Sequence, residues 1–72
     1  KLHEVQIRNV WGALLGDDIA TNTIKLGLNE GVLWVKVNSA ALKQELNYTK
    51  ADLIQLINSK MGQALLTDMI IY

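Results

Sequence analysis

The stretch TIKLGLNEGVLWVKVNSAALKQEL, residues 23–46, decides how this chain folds. Ile24, Leu26 and Leu28 occupy every second position, and after Asn29-Glu30-Gly31 the alternation resumes with Leu33, Val35 and Val37. Successive side chains of a strand point to opposite faces. Alternation on both sides of a short polar break therefore predicts a β-hairpin with one buried face. At Asn38-Ser39 the period changes. Ala40, Ala41, Leu42 and Leu46 follow helical spacing, and the Ser39 hydroxyl is placed to accept from a free first-turn amide as the helix cap.

Toward the N-terminus, Ile7, Val10, Trp11, Leu14 and Leu15 share one stripe of a helix. Leu2, Val5 and Ala13 fall on its far side, so this helix is expected to be covered twice or to meet something outside the chain. Gly16 stops it, and Asp17 to Ala20 read as one more turn with Ile19 pointing inward. Toward the C-terminus, Thr49 and Asp52 look like a helix restart with a cap and a first-turn acid. Leu53, Leu56, Ile57 and Met61 carry the apolar face on to Gly62. The spacing leaves open whether residues 40–61 form one bent helix or two. Leu66 to Tyr72 reads as a third strand. The order α-β-β-α-β predicts a two-layer α+β domain, a three-stranded sheet with its helices on one face.

Seventy-two residues make a single domain, residues 1–72, and a chain this short leaves about 40% of its unfolded surface exposed. Half of its residues are hydrophobic, which argues against disorder. With no cysteine, disulfides and thiolate metal sites are excluded. No apolar run approaches the ~18 residues a membrane span requires, so no membrane partner is expected, and a cytoplasmic setting is. The chain begins at Lys1 and not at methionine, which reads as a fragment of a slightly longer protein. Seven basic and seven acidic residues cancel, so charge-driven binding to nucleic acid is expected to be weak for this piece alone.

Nothing in the sequence assembles a catalytic constellation, and no cofactor or metal is expected. His3 is the only histidine and has no second ligand at metal spacing. Asp17-Asp18 are adjacent, so they point apart and read as helix-start acids.

The residues that invite a binding role lie on the outer side of the hairpin. If Leu33, Val35 and Val37 point inward, Val32, Trp34 and Lys36 point out, with Lys25 and Gly27 beside them. One aromatic between two lysines is a small stacking platform for nucleic acid. The same ring buried against a second copy of the domain, as a homodimer, removes more apolar area from water, and that contact is the leading expectation for Trp34. Met69 and Ile71 join Val32 and Trp34 as interface candidates if Ile70 and Tyr72 face inward; in the opposite register that face carries Asp68. Lys43 and Lys50, seven apart, share a helix face if the helix is unbroken. With Lys25 and Lys36 they complete the candidate nucleic-acid contacts, although Glu45 and Asp52 nearby favour a merely solvated face.

Several of these residues together resemble the DciA-like family, a bacterial family long described as a domain of unknown function. The resemblance rests on Trp11, Gly16, Ile19-Ala20, Thr23, Gly31, Leu33-x-Val35-x-Val37, Ser39-Ala40 and Gln44-Glu45-Leu46, followed by Leu53, Asn58, Gly62 and Ile70. It implies a KH-like domain that acts in DNA replication. Its implied partners are the replicative helicase, which it assists in loading, and single- or double-stranded DNA. The alternatives are a general KH-like RNA- or DNA-binding protein, or a self-association domain that uses the outer sheet face. The Gly-x-x-Gly loop with which KH domains clamp a nucleic-acid backbone is absent; Gly12 to Gly16 and Gly27 to Gly31 are one residue too long.

Overall fold

The computed structural model describes residues 2–72; the place expected for the Leu2 side chain lies outside what it describes. Helix α1 spans Leu2–Leu15 and α2 spans Asp17–Asn22. Strands β1, Thr23–Asn29, and β2, Val32–Val37, form the hairpin. Helices α3, Ala40–Tyr48, and α4, Lys50–Met61, then lead to β3, Asp68–Ile71. The sheet order is β1-β2-β3, with β2 antiparallel to β1 and parallel to β3. A parallel neighbour cannot be reached by a tight turn, so α3 and α4 serve as the crossover. The expected α+β order is present, and the second helical region is two helices. Ser39 caps α3 by accepting from the Leu42 amide at 3.2 Å. Thr49 does not cap α4: its hydroxyl donates back to the Glu45 carbonyl at 3.2 Å.

One core joins the sheet to the helices. Ile7 and Trp11 of α1, Leu42 and Leu46 of α3, and Leu53 and Ile57 of α4 are buried with Leu33, Val35, Met69 and Ile71 of the sheet. Ile19 is half-buried against this cluster. Val5 and Ala13 are exposed, so nothing among the described residues covers the far side of α1 there. Leu56, expected on the inner face of α4, is also exposed, and Ile54 packs against the core instead.

The hairpin turn has two central residues, Glu30 and Gly31, both at positive φ (50° and 81°). That pairing matches the right-handed twist of the flanking strands. Space at Gly31 is tight as well, since a Cβ there would lie 3.1 Å from the Thr67 hydroxyl. Its carbonyl accepts from the Thr67 amide at 2.8 Å, which ties the turn to the entry of β3.

Strand β1 departs from the simple alternation. Thr23 pairs with Val37 and Lys25 with Lys36, so Ile24 is an extra residue, a β-bulge. Ile24, expected inward with Leu26 and Leu28, is 57% exposed. The cause lies in Thr23, whose hydroxyl accepts from the Trp11 indole N–H at 3.0 Å and donates to the Ile19 carbonyl at 2.7 Å. Thr23 is thereby fixed toward α1, and the following residue is pushed out before Leu26 resumes the inner face. The free edge of β1 is shielded by α1. The Leu28 amide donates to the Glu4 carboxylate at 2.9 Å, and the Arg8 guanidinium reaches the Leu26 carbonyl at 3.5 Å. Polar groups left open on an edge strand invite unwanted pairing with other chains, and Glu4 and Arg8 occupy two of them.

Candidate functional site

Every helix that contributes to the core contributes to the same side of the sheet, so the other side is open. Register determines what it carries. Met69 lies beside Leu33 and Ile71 beside Val35, and side chains of directly paired residues share a face. Leu33 and Val35 are buried (1% and 0% exposed), and Met69 and Ile71 with them (0% and 6%). The placement of Met69 and Ile71 on the outer face with Trp34 is therefore corrected; they are core. The residues that do flank Trp34 are Ile70 on β3 and Gly27 on β1. Asp68 held the signal that resolves this. A strand with one charged residue turns it to water, and its parity carries Ile70 and Tyr72 outward with it.

The outer face thus presents Val32, Trp34 and Lys36 from β2, Lys25 and Gly27 from β1, and Asp68, Ile70 and Tyr72 from the β3 side. Trp34 is 40% and Tyr72 44% exposed. Their rings meet edge to face, centroids 6.3 Å apart at 77°, an arrangement aromatic quadrupoles favour. Tyr72 is held by continuation of the ladder: its amide donates to the Val35 carbonyl at 2.9 Å, and its carbonyl accepts from Val37 at 3.0 Å. Alternation in the sequence does not assign Tyr72 to this face, because its side follows the parity of β3.

Charge on this face is uneven. Lys25 and Lys36 stand directly opposite each other across the β1–β2 pair, and both are exposed. Like charges so placed destabilise a strand pair. The acid on the face, Asp68, is engaged by Lys50 at 3.7 Å. Lys50 therefore belongs to a local ion pair at the edge of β3, while Lys43 sits exposed on α3. The break at Thr49 separates the two onto different helices, so the shared face expected of an unbroken helix does not exist.

Among the described residues no group of three or more histidines or acids is gathered to hold a metal ion. No described helix is long and apolar enough to cross a membrane. Two clefts are open to solvent. One lies between α1, α2 and the β1 bulge, and another runs along Asp52, Gln55, Leu56 and Ser59 of α4.

The family model described as "Dna[CI] antecedent, DciA" matches residues 1–71. A UPF0232 protein of Mycobacterium leprae is 31% identical over 66 residues, covering 92% of this chain and 35% of that protein. A "UPF0232 protein in recF-gyrB intergenic region" of Mycolicibacterium smegmatis is 35% identical over 57 residues, covering 79% of this chain and 29% of that protein. The chain spans about a third of the length of the curated relatives it matches. No solved structure matches it.

Proposed function

Since this chain belongs to the DciA family, we propose that it is a non-enzymatic binding module of a cytoplasmic replication protein, one that assists the replicative helicase and touches DNA through the open face of its sheet. The observation that carries this reading is the pair of opposed lysines, Lys25 and Lys36, beside two exposed aromatics, Trp34 and Tyr72. The lysine pair costs stability in the free domain and is relieved by an anion. Exposed rings accept unstacked bases whatever their sequence. An anionic polymer with apolar flat groups, a single-stranded oligonucleotide, meets both needs at once.

The same face supports a second reading, a contact between two copies of the domain, because Val32, Trp34 and Ile70 give it an apolar centre. A two-fold contact buries the same patch on both copies. It would bring two opposed lysine pairs together, and for that reason it ranks below the oligonucleotide.

The test is fluorescence anisotropy of a labelled oligothymidine against parent, Trp34→Ala and Lys36→Glu, at two salt concentrations, with sedimentation analysis of the same samples. Two lysines on a single strand give an expected slope of log affinity against log salt of about −1.4. Trp34→Ala is expected to weaken binding by ~1–3 kcal/mol, and Lys36→Glu to remove it, with all samples monomeric. Binding indifferent to Trp34 and to salt would overturn the oligonucleotide reading. A concentration-dependent dimer that Trp34→Ala converts to monomer would establish the second.

A further inference from the structure

On the far side of the β1 edge, away from Trp34, lies a cleft of about 180 Å³ between α1, α2 and the bulge. Arg8, Gly12, Ala20, Thr23, Ile24 and Lys25 frame it. Three features of it bear on what it could hold.

Gly12 is the first. It sits inside α1, where glycine is ~1 kcal/mol worse than alanine. The packing of α1 on α2 does not ask for it, since a Cβ there would meet only the Ala20 methyl, at an ordinary 3.9 Å. Ile24 is the second. The bulge turns it out of the core and leaves it 57% exposed at the mouth of the cleft. Bulges recur where a side chain is re-aimed toward a binding site. The third is charge. Arg8 and Lys25 stand on the two walls, no acidic residue lines the cleft, and neither cation has a carboxylate within 4.0 Å among the described residues. Arg8 leans on the Leu26 carbonyl at 3.5 Å, a length at which a hydrogen bond is weak.

We propose that this cleft docks a short acidic peptide segment of a partner protein, one that lays an apolar side chain over Gly12 against Ile24 and sets carboxylates toward Arg8 and Lys25. A phosphate backbone would use the two cations but gain nothing from the exposed isoleucine or the bare helix. A purely apolar segment would leave Arg8 desolvated without a counter-charge. A peptide carrying both features satisfies all three observations. This inference does not depend on the oligonucleotide reading: Trp34, Tyr72 and Lys36 lie on the other face, and Lys25 alone borders both.

The experiment is selection of a random dodecapeptide library displayed on phage against the immobilised chain, with soluble Gly12→Leu protein as competitor. The best clone is then made as a labelled peptide and titrated by anisotropy, with amide chemical shifts recorded. Enriched clones are expected to carry acids flanking an apolar residue, and the peptide is expected to shift the amides of Gly12 and Ile24. Its affinity should fall at least tenfold in Gly12→Leu, which fills the floor, and in Arg8→Glu. It should stay within twofold in Trp34→Ala. Ile24→Asp, at an exposed position, gives the same readout should Gly12→Leu fail to fold. Four results would each overturn the proposal: no enrichment, clones without acids, clones that bind the filled cleft equally well, or an oligothymidine that displaces the peptide and shifts the same amides.

Discussion

Asn58 fastens the crossover to the sheet, and its removal makes a demanding test of the fold. Its side-chain amide donates to the Leu66 carbonyl at 2.9 Å, and its oxygen accepts from the Leu66 amide at 2.7 Å. One side chain thus mimics a strand partner for a residue only 3% exposed, just before β3 begins. Asn58→Ala removes both bonds and leaves a backbone donor and acceptor unpaired in a part-buried site. A net value of ~1 kcal/mol per bond, with the added penalty of unmet groups, gives an expected loss of about 2–4 kcal/mol. Domains of this size have roughly 4–11 kcal/mol in total, so the variant should remain folded but fragile. At about 4–8 °C per kcal/mol, its thermal midpoint should fall by roughly 8–32 °C. Circular dichroism melts and urea titration measure this, and hydrogen exchange should speed up at the Leu66 amide in particular. Gln63→Ala, at an exposed neighbour, should stay within ~0.5 kcal/mol. A loss below 0.5 kcal/mol for Asn58→Ala would refute the reasoning, and would mean that burial of Leu66 alone holds the crossover.

Two further perturbations probe the N-terminal half. Trp11 is 2% exposed and carries the bond to Thr23, so Trp11→Ala should cost about 3–5 kcal/mol and blunt cooperative unfolding; a parental urea midpoint would contradict it. Gly16, at φ 89° and ψ 170°, occupies backbone space essentially reserved for glycine. Gly16→Ala should therefore lose ~1–3 kcal/mol although nothing lies within 4 Å of the added methyl; an unchanged melting midpoint would show that the α1–α2 junction relaxes freely.

Much of the architecture was legible in the residues because one-dimensional periodicity reports local geometry. The hairpin, the Ser39 cap, the burial of Trp11 and the stop at Gly62 each follow from spacing, side-chain chemistry or backbone permissiveness within a few residues. The candidate face was legible only in part. Alternation along β2 turned Trp34 and Lys36 outward correctly, since Leu33 and Val35 left no other choice. The β3 run is apolar on both faces, and period 2 cannot choose between them. Only the parallel pairing with β2 buried Met69 and Ile71 and sent Ile70 and Tyr72 out, although Asp68 already hinted at that parity. Ile24 departs from its alternation for a different reason. Its alternation is perfect in sequence, but a hydrogen bond between Trp11 and Thr23, twelve residues apart, inserts a bulge that no local pattern records. The cleft beside it, with Arg8 across from Lys25, exists only because α1 folds back along the edge of β1. Local propensity thus determined which elements form. Contacts between residues distant in the chain decided which side chains those elements leave for a partner, because the energy of such contacts depends on positions the sequence does not carry.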